Sequence, residues 1–175
     1  MSREILGSIE TEYRRYKALA EGAMEQLDAE ELCRSPVPPN NSIATIAWHV
    51  SGNLESRFTD FLDSDGEKPW RDRESEFEDR QVTREALLQK WERGWTIVLD
   101  ALASLKDEDL HREVAIRSMP LAVHAALHRS LAHTSHHVGQ IVYLARNYRG
   151  EGWRYLSIPP GGTASYNQKP TLEKG

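Results

Sequence analysis

Apolar residues recur at three- and four-residue intervals along four long stretches of this 175-residue chain, and that period commits most of it to amphipathic helix. The first stretch predicts a helix from Arg3 to Leu27, with Ile5, Ile9, Tyr13, Tyr16, Leu19, Ala20 and Ala23 along it. It stops before Ser35-Pro-Val-Pro-Pro39, because proline removes a backbone donor and clashes with the preceding turn. Asn40-Asn41-Ser42 then offers an N-cap for a second helix. That helix carries Ile43, Ile46, Ala47, Val50, Leu54, Phe58, Phe61 and Leu62 and is expected to end near Asp63-Ser-Asp-Gly66. A third opens at Thr83 with Glu85 in its first turn, where a carboxylate favours the helix dipole, and continues through Leu87, Trp91, Trp95, Val98 and Leu102. The fourth begins just after Pro120 and runs to about Tyr148 along Val123, Leu127, Leu131, Val138, Ile141, Val142 and Ala145.

No sustained strand alternation appears, so the chain reads as all-α, a four-helix bundle in a single domain over 1–175. Residues 65–81, dense in charge, read as a long surface connection, and 114–119 as a short extended piece. After Gly150 the chain turns rich in glycine and proline. The segment 150–175 reads as an irregular, non-helical tail whose Trp153, Tyr155, Ile158 and Tyr166 pack it on the bundle. The long connections leave room for a crossover topology.

A net charge of −5 argues against binding nucleic acid, which needs a basic stripe. No run approaches the ~18 apolar residues of a membrane span, and the polar start Met1-Ser-Arg-Glu-Ile lacks the apolar core of a secretory signal. Cys33 is the single cysteine, so no intramolecular disulfide forms and a cytoplasmic location fits best. Any metal site must then rest on histidine and carboxylate.

The chemistry concentrates in Leu131-Ala-His133-Thr-Ser-His136-His137-Val-Gly139-Gln140-Ile141. Residues four apart on a helix stack about 6 Å apart, so His133 and His137 share one face. His49 lies on the apolar side of the second helix, in Ile46-Ala-Trp48-His49-Val50. Two histidines from one helix and one from a neighbour suit a three-histidine metal centre with an open position. Hydrogen-bonded core histidines or a polar surface are the plainer alternative. His136 points away from its neighbours, and His124 and His128 form a second pair with no evident third ligand. Glycine costs about 1 kcal/mol inside a helix, so Gly139 is expected to have a packing reason or to leave room beside the site. Gln140 is placed to flank the open side. The pair is not HExxH, so a glutamate-assisted zinc protease is not supported.

At Trp48-His49 and His133-Thr-Ser-His136-His137-Val-Gly139-Gln140-Ile141 the chain resembles the DinB/YfiT-like superfamily of bacterial metal-dependent four-helix bundles. Ser51-Gly-Asn-Leu-Glu-Ser-Arg57 and Ile158-Pro-Pro-Gly-Gly162 resemble a branch of it whose function is unassigned. The resemblance implies a divalent ion, usually zinc or nickel, on His49, His133 and His137, and homodimers formed through the bundle helices. It also implies thiol-dependent transferase or isomerase activity in some relatives. Val138 stands where many relatives carry arginine.

Two functions follow as expectations. One is a metal-dependent enzyme, a thiol S-transferase or a hydrolase. A water or low-molecular-weight thiol at the open position would be acidified and attack a small electrophilic substrate. Asn53 and Gln140 would orient that substrate and Arg57 would pair with an anionic group. The other is a non-catalytic, metal-stabilised dimer serving as a stress-response binding protein.

Overall fold

Capping chemistry sets the bounds of the long helices. The structure is a computed structural model that describes residues 3–37 and 39–171. Helix α1 spans Glu4–Met24. A short helix α2, Ala29–Cys33, follows on a reciprocal capping box: Asp28 accepts from the Glu31 amide and Glu31 from the Asp28 amide. It was not expected, since one turn is too short to register as a period. Helix α3, Ile43–Phe58, starts where Ser42 Oγ accepts from the Thr45 amide at 3.1 Å. Helix α4, Arg84–Ser104, is capped by Thr83 in the same way. Helix α5 spans Val123–Arg149 and stops at Gly150, whose φ of +53° favours glycine.

Three expectations need correction. Helix α3 ends at Phe58, earlier than expected, because Thr59 turns extended and Asp60 takes a φ of +48°; Phe61 and Leu62 still pack on the core from the turn beyond. The extended piece near 114–119 is half of a hairpin. Strands β1, Glu113–Ile116, and β2, Met119–Ala122, pair antiparallel, with Pro120 opposite Ala115. The fourth long helix therefore starts at Val123, not just after Pro120. Finally, the tail is not wholly irregular: it holds a 3-10 turn at Gly150–Gly152 and one helical turn, α6, at Thr163–Tyr166. Of the four tail residues expected to pack on the bundle, Trp153 packs against the core, joined by Leu156, whereas Tyr155 is 43% exposed; residues 172–175 of that segment lie outside those described.

The hairpin turn has left-handed φ at both central residues, Arg117 (+55°) and Ser118 (+60°). Such turns ordinarily call for Asn-Gly. Here the Asp65 carboxylate accepts from both amides, at 2.9 and 2.6 Å, and so offsets the strain.

Helix α3 packs on α4 and α5, and α1 packs on those same two. Around the bundle the order is thus α1, α5, α3, α4. The links from α1 to α3 and from α4 to α5 cross diagonals, so the topology is not simple up-and-down. Tyr13, Phe58 and Trp95 meet at the centre, with ring centroids 6.2 Å apart in edge-to-face contacts. Gly94 allows α4 to approach α3 closely, since a Cβ there would sit 2.8 Å from Ser51 Cα. Gly139 has no such reason: it is exposed, with nothing within 4 Å of a built Cβ. Among the described residues no helix is long and apolar enough to cross a membrane.

Candidate metal centre

Because α3 and α5 pack side by side, His49 comes opposite the His133–His137 pair. The Nε2 atoms of His49 and His133 are 3.3 Å apart, and those of His137 and His133 are 3.2 Å apart. The three histidines offer ligand atoms that all lie within 4.8 Å of one another, the one such group among the described residues. His49 is buried; the other two are half-buried.

The protonation pattern decides what this cluster can hold. His49 Nδ1 lies 2.8 Å from Glu76 Oε2. Arg71 grips the same carboxylate with two bonds of 2.8 Å. A carboxylate only accepts, so His49 carries its proton on Nδ1 and its Nε2 is a bare lone pair. Phe77 lies against the ring, 4.5 Å between centroids, and fixes its plane. On α5 the Gln140 Oε1 is 2.8 Å from His137 Nδ1, which again leaves Nε2 bare. That amide orientation is the one in which Gln140 Nε2 donates to His136. His133 Nδ1 is buried with no hydrogen-bond partner.

One proton on His133 Nε2 can satisfy a single neighbour. The other lone pair then faces it uncompensated. A cation between the three resolves the conflict, and ligands about 2.05 Å from a tetrahedral zinc stand about 3.3 Å from each other. The donor set and two of its three separations therefore fit a divalent ion held by His49, His133 and His137, with the third pair within 4.8 Å.

Electrostatics disfavours a proton as that cation. Burial above all, with the neighbouring His137, His49 and the positive Arg71 and Arg57, pushes His133 down to about 3. Burial also lowers His137, against a partial opposing effect from Gln140. For Glu76, burial acts to raise the carboxyl, but the bonds from Arg71 and His49 outweigh it and hold the group below its usual range.

The other expected residues divide. Asn53 and Arg57 line a cavity together with His49 and His133. Arg57 is already engaged with the Gly66 carbonyl and with Glu67 at 3.1 Å. Gln140 does not flank the open side; it stands behind His137, on the opposite ring nitrogen. His136 is exposed, as expected. His111 joins His124 and His128, with ring centroids 5.9 and 6.4 Å apart, but His124 Nδ1 is bonded to the Leu110 carbonyl and no ligand atoms converge there.

Glu76, Arg71 and Phe77 were missed, because the segment 65–81 reads as surface. In fact Glu76 is only 5% exposed. The legible clue was Gly52, three residues after His49 on the same helical face. A Cβ at 52 would lie 2.2 Å from Glu76 Oε1, so the glycine keeps space for the carboxylate. Glu76→Gln is expected to weaken divalent-metal binding about 10- to 100-fold, the usual effect of losing a ligand's hydrogen-bonding partner, with helix content unchanged. Competition against a chromophoric chelator measures it; unaltered affinity would remove Glu76 from the centre.

The chain matches a family described as a protein of unknown function (DUF1572) over residues 1–162, and it belongs to that family. Two solved structures share its fold. A conserved protein from Enterococcus faecalis is 17% identical with a TM-score of 0.69, covering 86% of this chain and all of its own. A DinB-like protein from Bacillus cereus is 18% identical with a TM-score of 0.62, covering 80% of this chain and 90% of its own. The fold is thus DinB-like. A search of the curated proteins found no match.

Proposed function

We propose, with membership of that family and its DinB-like fold as the premise, that this chain is a metal-dependent enzyme. It joins a low-molecular-weight thiol to a small electrophile, or hydrolyses such a compound. The observation that carries the reading is three imidazole lone pairs converging at the wall of a cavity of about 290 Å³ lined by His49 and His133. Zinc or nickel on three neutral imidazoles would keep its full charge and lower the pKa of a water or thiol in the remaining position.

The residues around the site supply the rest. Glu76 holds His49 in one tautomer, and Arg71 holds Glu76. Gln140 does the same for His137. Asn53 lines the cavity, where its amide would orient a bound substrate. A reducing, cytoplasmic compartment suits a thiol co-substrate, and the lone Cys33 is buried away from the site.

The test is metal analysis of the purified chain by emission spectroscopy, followed by conjugation and hydrolysis assays with bacterial low-molecular-weight thiols and model electrophiles. The expected result is one ion per chain and turnover that chelator abolishes. No ion above background after reconstitution would overturn the reading.

A second reading is a metal-stabilised dimer without catalysis, favoured by the staple the histidines make between α3 and α5 and by Tyr143, 73% exposed on α5. It calls for metal-dependent stability, a dimer by light scattering, and no turnover.

A further inference from the structure

The cavity beside the histidines is lined by five arginines, Arg57, Arg71, Arg73, Arg117 and Arg129, and by no aspartate or glutamate. That is unexpected in a chain of net charge −5. The acids behind the wall are largely spent. Glu76 serves Arg71 and His49. Glu67 is shared by Arg57 and Arg117, at 3.1 Å from each. Glu74 pairs with Arg73 on the open surface. Asp65 gives its oxygens to the amides of Glu67, Arg117 and Ser118. Arg129 is exposed and has no ion-pair or hydrogen-bond partner among the described residues.

We propose that this cavity seats an oxyanion group, carboxylate or phosphate, of the ligand that reaches the three histidines. Arg129, Arg117 and Arg57 are its counter-charges, and Asn53 is a neutral hydrogen-bond partner. The proposal rests on the cavity being the approach to the metal centre.

Three observations support it beyond the count of charges. Arg57 and Arg117 share the single carboxylate of Glu67 and Arg129 has no acid beside it, so the lining keeps an excess of positive charge that raises the local concentration of anions in the cavity. Arg117 is presented from a left-handed backbone position that Asp65 has to hold in place, and strain kept beside a cavity points to use. Ser130, which also lines the cavity, buries an Oγ that stands near the Tyr13 hydroxyl without a hydrogen bond of good geometry. It is an unpaired hydroxyl just behind the cavity wall, which a ligand reaches only when the side chain turns. Guanidinium groups bond carboxylate and phosphate oxygens in a planar fork, which lysines would not reproduce.

The experiment uses the chelator-treated full chain, titrated by calorimetry and by amide NMR with malonate, with inorganic phosphate and with neutral malonamide. At least one anion is expected to bind, with shifts at Ser130 and Ile116, and malonamide is not. Arg129→Gln is expected to weaken that binding about tenfold and Arg117→Gln about tenfold again, the worth of one charge-assisted bond each. Added salt weakens it further. Which anion binds distinguishes a carboxylate ligand from a phosphate one. Binding of neither overturns the proposal, as does binding that both substitutions leave intact. Binding that appears only after zinc is restored also overturns it, because the anion then sits on the ion. A chain that takes no metal yet binds malonate through Arg129 removes the enzyme reading alone and leaves the anion site standing.

Discussion

Replacing His133 by alanine is expected to take bound zinc or nickel from one ion per chain to background, while the metal-free protein keeps its helix content. His133 is the vertex of the cluster: its Nε2 is the atom within 3.3 Å of both other Nε2 atoms. The alternative pairing, His49 with His137, leaves two ligands on different helices. Structural zinc sites bind with about 10–16 kcal/mol over four ligands, so one ligand is worth roughly 3 kcal/mol, a hundredfold or more in affinity. The same substitution removes most of the stabilisation by metal. A native chain in metal at a thousand times its dissociation constant gains about 4 kcal/mol; the variant, about a hundredfold weaker, gains only about 1.4 kcal/mol at the same metal concentration. Without metal the two proteins should melt alike, because alanine also deletes a buried Nδ1 that has no partner. Emission spectroscopy and paired melts with and without zinc provide the readouts. A variant that still holds one ion per chain would show that the three histidines are not the site.

Gly94→Ala is expected to cost the fold about 3 kcal/mol, the upper part of the usual overpacking range. In a chain of this length that lowers Tm by roughly 6–12 °C. On an exposed helix the same change would stabilise by about 1 kcal/mol, because alanine is the better helix former. Position 94 reverses the sign because the new methyl would lie 2.8 Å from Ser51 Cα and 2.9 Å from Ser51 O. Those are backbone atoms of α3 and cannot swing aside, so α3 and α4 must separate. Ser51 is two residues from His49, so the shift also reaches the candidate site. Thermal melts by circular dichroism, with Gly139→Ala as the contrast, check this. Gly139 meets nothing within 4 Å, so alanine there should raise Tm slightly. Equal effects at the two glycines would refute the packing account.

Those two glycines also mark how far a linear reading reaches. Gly139 attracted attention because it sits in the histidine motif, yet it lies exposed. Gly52 and Gly94 carry the close approaches, and neither stands in the histidine motif. The pair His133–His137 was legible because both residues belong to one helical turn, and His49 because its helix face was otherwise apolar. Asn53 and Arg57, one and two turns beyond His49, line the cavity with it. Gln140 was placed correctly on its helix and assigned to the wrong side of His137, because spacing along a helix does not say which ring nitrogen a neighbour meets. Glu76 lies 27 residues from His49 in a segment without period. Nothing local ties it to an imidazole.

Helical periodicity is a property of contacts within four residues, and so the four long helices, two of their caps and the facing histidine pair were determined by the chain itself. The crossed order of the bundle, the hairpin held by Asp65, the Glu76–Arg71 support behind His49 and the arginine-lined cavity were decided only in three dimensions. Each depends on side chains meeting across large sequence separations, where burial and charge pairing, rather than local propensity, select the partner.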